Sequence, residues 1–438
     1  MCGIIGIYNH ENAAELATLG LFAEQHRGQE SCGLAVSDGK VFRLRKRMGL
    51  VKEVFTPEKL ERLKGTIAIG HVRYPTKGKA SADNSQPHVQ ELLSGPAYAL
   101  ASNGDITNYN YIRKQLRKKG VFFSSGNDGE LLLKYIVHEV EKEKKSIKEA
   151  IHSLMKYVKG AFSAVFATRD SMYIFRDPYA IRPLVYGQLS NGSIAVASES
   201  CALDIVAPKW VKEVQPAELI KLTPKGIESI QFNAKKLRAT ETVKHCVFEH
   251  IYFARPDSIE FGENVYEVRE KLGAMLADND AEIEPDVVVP VPDSANFIAL
   301  GYAKRKGIPF EMGLIRNHYV GRTFIKPQQT IRDESVKQKF NPLPNFFKGK
   351  KVVMVDDSIV RGTTIRKIVK LILDSGAKEI HLRLGSPPVK HSCYYGIDTP
   401  TSKQLIAKHK SVLEIEKLFS VTSLKYMTTD DLRECVEK

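Results

Sequence analysis

The sequence predicts two unlike halves: an α+β half built from two antiparallel sheets flanked by helices, then an α/β half built on a parallel sheet. Three observations carry this. Short strand patterns crowd the stretches Gly3 to Val72 and Ala161 to Ser198, with three helical patterns between them. Near Asn233 to Lys244 the chain turns Lys-rich and unpatterned, as a linker does. Beyond it, Asp286 to Val291 and Lys351 to Val355 are apolar runs that each lead through a polar loop into a helix, the βαβ opening of a doubly wound sheet. The boundaries drawn from these signals are 2–235 and 245–438.

In the first half, Gly3 to Tyr8 predicts a buried strand that starts almost at the first residue. Glu15 to Gln25 is helical, His26 to Gly33 reads as a polar loop, and Leu34 to Val36 as a strand that turns at Ser37-Asp38-Gly39-Lys40. Thr66 to Val72 is another strand, followed by Arg73-Tyr74. Polar residues collect again at a strand end in Ser102-Asn103-Gly104-Asp105. Helices follow over Tyr109 to Lys119, Gly129 to Glu141 and Ser146 to Tyr157, and tight turns at Thr168 to Ser171 and Ser190 to Ser193 separate the later strands.

In the second half, Pro292-Asp293-Ser294 is a loop before a helix from Ala295 to Lys306, closed by Gly307. The run Lys351 to Val355 enters Asp356-Asp357-Ser358, then Arg361-Gly362-Thr363-Thr364 at the start of a helix whose stripe is Ile365, Ile368, Val369 and Ile372. Ligands of such sheets sit at the carboxyl ends of the strands. Here that end is acidic on one side and, at a helix N-terminus, anion-seeking on the other. A sugar phosphate fits. Gly362 lets the backbone close on a phosphate, Thr363 and Thr364 add donors, and Asp356 and Asp357 suit hydroxyls and Mg²⁺. A capped helix after a buried strand, with the aspartates as turn formers, is the plainer alternative.

The 438 residues suffice for two or three domains, and the formal charge is +14. The basic residues fall in short runs (Arg43 to Arg47, Arg117 to Lys119, Lys348 to Lys351) interleaved with core positions, so solvated faces explain them without nucleic acid. No apolar run approaches a membrane span and no signal peptide is evident, so a cytoplasmic protein is expected. Six cysteines without a CxxC suggest neither a disulfide framework nor zinc.

Cys2 precedes the small Gly3, so Met1 is expected to be removed. One residue would then carry a thiol and an α-amine whose ordinary pKa of roughly 7.7–8.0 suits a general base. A buried small side chain at a strand start is the bland alternative. Met1-Cys2-Gly3-Ile4-Ile5-Gly6, His26-Arg27-Gly28-Gln29, Gly70-His71-Val72-Arg73-Tyr74, Asn103-Gly104 and Asp128-Gly129-Glu130 occur together, in the order of the N-terminal-nucleophile glutamine amidotransferases, which the first half resembles. The resemblance implies an αββα sandwich, attack of Cys2 on the glutamine amide, Arg73 on the substrate carboxylate and Asp128 on its ammonium. It also implies an oxyanion hole from Asn103 and Gly104.

The Asp356-Asp357 loop resembles the signature of type I phosphoribosyltransferases, which bind phosphoribosyl pyrophosphate (PRPP) there. Jointly the two halves resemble the amidophosphoribosyltransferase family, with further agreement at Tyr252 to Ser258 and Tyr319 to Ile325. That implies glutamine-dependent amination of PRPP at the start of purine synthesis, with ammonia passed from the Cys2 site to the PRPP site. It implies PRPP contacts from Asp356, Asp357, Ser358, Arg361, Gly362, Thr363, Thr364, Arg322 and Lys326, and Mg²⁺ near Ser294, Asp356 and Asp357. A lid around Gly321-Arg322-Thr323, purine nucleotide inhibitors and a homo-oligomer, a tetramer in relatives, are implied as well. Departures are His318, Ala217 and Gly129, where relatives commonly have Arg, Gly, and Thr or Ser. Some relatives carry an iron–sulfur cluster. With Cys246 and Cys393 at two ligand positions but only Cys435 beyond them, no cluster is expected here. Rival readings are another glutamine-dependent transferase and a PRPP-sensing nucleic-acid regulator, which leave Asp356-Asp357 and Cys2 respectively without a role.

Overall fold

The computed structural model describes residues 1–74, 81–93, 95, 97–237, 242–318 and 339–436. The chain divides into two compact units. The first takes Met1–Cys246 with Ser258–Gly262 and Cys393–Asp398, and the second Val247–Asp257, Glu263–Ser392 and Thr399–Lys438.

The first unit is four layers deep. One antiparallel sheet runs, in spatial order, through Trp210–Glu213, Val185–Gln188, Ile194–Ala197, Gly3–Tyr8, Ile67–Arg73, Ser31–Ser37 and Phe42–Met48. The other runs through Gly226–Gln231, Glu218–Thr223, Met172–Arg176, Gly160–Ala167, Ala97–Ile106 and His88–Glu91. Ile4, Ala35 and Ile69 of the first sheet meet Ala99, Val165 and Ile174 of the second in the central core. The helix Ala13–Ala23 packs on the outer face of the first sheet. Tyr109–Lys118, Asp128–Glu141 and Ile147–Tyr157 cover the second. The central strands are buried on both faces, so they lose the alternation that marks a half-exposed strand.

That loss explains one correction. The strand Ser31–Ser37 starts three residues before the predicted Leu34, because Ser31 to Gly33 already pair with Arg73 to His71 on one side and Met48 to Lys46 on the other. The partner Phe42–Met48 contains the basic run Arg43 to Arg47. It is an edge strand, and charge on such an edge discourages pairing with another chain. Ala217 sits buried at φ 57°.

The second unit is built on a parallel sheet in the order Val287–Pro290, Lys351–Asp356, Glu379–Leu384, Ser423–Tyr426. The helix Thr363–Asp374 packs Ile365, Ile368, Val369 and Ile372 on one face of it. The helices Val265–Asp278 and Asn296–Lys306 lie on the other. These two helices touch backbone to backbone. A Cβ at Gly301 would stand 2.8 Å from the Glu270 carbonyl carbon, and one at Gly273 would stand 2.6 Å from the Tyr302 nitrogen. Among the described residues no helix is long and apolar enough to cross a membrane.

Candidate functional site

Cys2 precedes the central strand Gly3–Tyr8, whose Gly3 is paired with Val72. Three contacts hold it. Its N–H donates to Asn103 Oδ1 at 3.0 Å, its carbonyl accepts from Arg27 Nε at 3.0 Å, and its thiol lies 3.6 Å from the Tyr74 carbonyl oxygen. The ammonium of Met1 donates to the Gly396 carbonyl within the same unit.

Asn103 and Gly104 stand on the strand Ala97–Ile106, opposite Ser163 and Phe162. Because Asn103 Oδ1 is taken by Cys2, its amide nitrogen points away from that bond; Nδ2 is buried with no hydrogen-bond partner among the described residues. A buried donor left unpaired costs about 1–3 kcal/mol, so its retention fits a group reserved for a ligand. Gly104 has φ 150°, and a Cβ there would stand 2.6 Å from the Ala161 carbonyl carbon, so the position accepts only glycine.

Arg73 is almost wholly buried and paired with Glu30, whose carboxyl is raised from its ordinary range by burial while Arg73 opposes the rise. Asp128 opens the helix Asp128–Glu141, and its Oδ2 accepts the Ile106 N–H at 2.7 Å. A small cavity is lined by Cys2, Arg73, Gly104 and Asp128 of the predicted set, together with Tyr74, Gln86, Ser102 and Asn127. The structure therefore gathers the first predicted cluster, with Asn103 bonded to Cys2. A separate, open groove along Tyr109–Lys118, lined by Arg113, Lys114, Arg117 and Lys118, holds none of the predicted residues.

Sequence reading missed the support of this cluster. Arg27 bridges the Cys2 carbonyl and Glu199, and Glu199 also meets His26 at 2.7 Å and the Ser258 hydroxyl at 2.8 Å. Glu24 Oε1 accepts the Glu199 N–H at 2.8 Å, and burial drives its carboxyl well above the ordinary range. Arg27 stood in a motif quoted for its resemblance, but nothing local pairs position 27 with position 199. His71 is fully buried, and burial holds its ring well below the usual range and so neutral.

In the second unit, Asp356 ends the strand Lys351–Asp356, and Asp357 is buried behind it. Asp357 accepts the Ser294 hydroxyl at 2.6 Å and the Ser358 hydroxyl at 2.5 Å, and its own N–H donates to Asp356 Oδ1 at 2.9 Å. Burial raises both carboxyls, Asp356 strongly, with the neighbouring Asp357 charge adding to its rise. A divalent cation would relieve that cost, so the donor set fits one. Ser294 reaches the pair as a hydrogen-bond donor to Asp357. Gly362, at φ 76°, begins the helix Thr363–Asp374 with no side-chain cap, which leaves its first N–H groups for an anion beside exposed Arg361, Thr363 and Thr364. Arg322, Lys326 and the Gly321 to Thr323 segment lie outside the described residues.

Cys246 and Cys393 belong to the first unit and Cys435 to the second. Among the described residues no group of three or more His, Cys, Asp or Glu stands ready to hold a metal ion.

Each half of the chain is similar to known proteins. The family model described as a glutamine amidotransferase domain matches residues 71–204, and that described as a phosphoribosyl transferase domain matches 257–384. The chain is 45% identical to amidophosphoribosyltransferase 1, chloroplastic, of Arabidopsis thaliana over 438 residues, 100% of this chain and 76% of that one. It is 43% identical to the amidophosphoribosyltransferase of Methanothermobacter thermautotrophicus, over 99% of this chain and 90% of the other. A solved structure of glutamine PRPP amidotransferase from B. subtilis, complexed with ADP and GMP, superposes with TM-score 0.90 at 39% identity, covering 100% of this chain and 93% of that one.

Proposed function

The chain belongs to the amidophosphoribosyltransferase family, and from that premise we propose how its residues carry out the family's reaction. The enzyme transfers the amide nitrogen of glutamine to PRPP in purine biosynthesis, giving 5-phosphoribosylamine, glutamate and pyrophosphate.

At the first site, removal of Met1 leaves the Cys2 α-amine beside Asn103 Oδ1. The amine takes the thiol proton, and the thiolate attacks the glutamine side-chain carbonyl. The oxygen that gains charge receives N–H bonds from Asn103 Nδ2 and the Gly104 backbone, a contribution of roughly 3–4 kcal/mol per donor in other enzymes. Collapse expels ammonia, the amine returning the proton to the leaving nitrogen, and water then hydrolyses the thioester to glutamate. Arg73 holds the substrate carboxylate and Asp128 its ammonium. The observation that carries this reading is the two-sided use of Asn103, with Oδ1 on the nucleophile's amine and Nδ2 buried without a partner among the described residues.

At the second site, the helix start at Gly362, Thr363 and Thr364, with Ser358 and Arg361, holds the phosphate of PRPP, and Asp356 and Asp357 hold its ribose hydroxyls. Mg²⁺ held by Asp356 and Asp357, with Ser294 orienting Asp357, would offset the charge of the departing pyrophosphate. Arg322 and Lys326 are proposed to share that role. Ammonia is protonated in water, so its transfer to this site without mixing with solvent is part of the proposal.

The catalytic domains are taken as 2–235 and 245–438. Purine nucleotides are proposed as regulatory ligands, because the B. subtilis relative was solved with ADP and GMP. A cytoplasmic homo-oligomer, tetrameric as the family resemblance implies, without a nucleic-acid partner, completes the reading. No iron–sulfur cluster is proposed, since Cys246, Cys393 and Cys435 offer three thiols where a cluster ordinarily takes four. PRPP-dependent glutamate release, run beside an ammonia-dependent control, tests the whole. Ammonia-driven synthesis without any glutamine-driven synthesis would refute the first site.

A further inference from the structure

Gln86 is 4% exposed, and its side-chain amide lies against the backbone of Ser102. Oε1 accepts the Ser102 N–H at 2.8 Å, and Nε2 donates to the Ser102 carbonyl at 3.1 Å. An amide matched to both polar groups of one residue fixes its position and its rotation, as the paired bonds of an antiparallel ladder do. Ser102 immediately precedes Asn103 and Gly104, so whatever fixes it also aims the next two N–H donors.

The start of the helix Asp128–Glu141 approaches the same amide. A Cβ at Gly129 would stand 2.6 Å from Gln86 Cδ and closer still to Oε1. The helix start therefore packs against the amide.

We infer that Gln86 is a positioning residue of the glutamine site, clamping Ser102 so that Asn103 and Gly104 face the developing oxyanion. The inference rests on the reading of Asn103 and Gly104 as oxyanion donors. Donors placed for a transition state act on the rate of the chemical step more than on substrate affinity. An ordinary loop anchor would instead show itself in stability, or in both constants together.

The test is a kinetic set on the full chain. Gln86→Leu keeps the volume and removes both bonds; it should lower glutamine-dependent kcat by about 10- to 100-fold, with KM for glutamine changed less than about threefold. Alkylation of Cys2 by iodoacetamide, which needs no oxyanion hole, should proceed at the wild-type rate. Ammonia-dependent synthesis bypasses this site and reports folding. Gln86→Met, which also lacks both bonds, should reproduce the kcat loss. Wild-type kcat in Gln86→Leu, or a loss confined to KM, would overturn the inference. If Gln86→Leu does not fold, Gln86→Met alone decides by the same split. Asn103→Ala separates the two levels. Full glutaminase activity there removes the oxyanion reading itself, whereas an inactive Asn103→Ala beside a fully active Gln86→Leu removes only the clamp.

Discussion

Asn103 Oδ1 accepts the backbone N–H of Cys2 at 3.0 Å, 101 residues away in sequence. In the proposed mechanism loss of Met1 makes that nitrogen the α-amine, so that the acceptor would orient the base while the other end of the same amide would face the substrate oxygen. Asn103→Asp keeps the acceptor and replaces the donor with an anion. It should lower glutamine-dependent kcat by about 10²- to 10³-fold or more, with ammonia-dependent synthesis retained. A variant within a few-fold of wild type would show that Nδ2 is not a donor.

Cys2→Ala tests the nucleophile. Glutamine-dependent synthesis should fall at least about 10³-fold, while ammonia continues to be used at the second site. Parallel loss of both activities would mean that the chemistry is not divided between two sites.

For the second site, changing Asp356 and Asp357 together to Asn should abolish PRPP turnover with either nitrogen source. Binding of Mn²⁺ in the presence of PRPP, followed by the spin resonance of the free ion, should weaken by about tenfold or more, since two carboxylates become neutral. Slow basal glutamine hydrolysis should survive. Unchanged Mn²⁺ binding would take the metal away from this loop.

What the sequence made legible follows from the range of the interactions. The Asp356 to Thr364 loop is contiguous, so one strand–loop–helix reading placed all its residues, and Cys2 was marked by its own position. The partners of the buried charges were not legible. Arg73 is neutralised by Glu30, 43 residues back, and Arg27 by Glu199, 172 residues on. No local pattern announces either pair. Gln86 was hidden for the same reason, its role existing only through Ser102. The edge strand Phe42–Met48 was obscured by its five consecutive residues Arg43 to Arg47, four of them basic, and Ser423–Tyr426 was too short to show a period.

The contact of Val265–Asp278 with Asn296–Lys306 predicts a stability effect remote from both sites. Gly301→Ala would push a methyl against the Glu270 backbone, which cannot rotate away. Separating the helices enough to admit it should cost about 1–3 kcal/mol, read as a lower urea midpoint. An unchanged midpoint would mean that the helices part freely.

Glu24 predicts how stability depends on pH. Burial raises its carboxyl well above the ordinary range, the nearby Glu199 charge adds to the rise, Arg27 opposes it, and Oε2 lies buried without a hydrogen-bond partner among the described residues. In the unfolded chain a glutamate titrates near about 4.3. Below that pH both states hold the proton, and the group contributes its full share of stability. As pH rises, the unfolded chain ionises first while the folded one keeps the proton, so stability is lost progressively until the folded group itself ionises. Glu24→Gln ionises in neither state and keeps an oxygen for the Glu199 N–H. Whatever packing difference it introduces, its stability relative to wild type should rise as the pH climbs above the unfolded value, until the folded group ionises, by up to about 1.4 kcal/mol per pH unit. Urea midpoints of both proteins across that range would show it. A difference that stays level, or that shrinks toward high pH, would mean that Glu24 is ionised in the folded enzyme and that its partners, not a retained proton, make it tolerable beside Glu199.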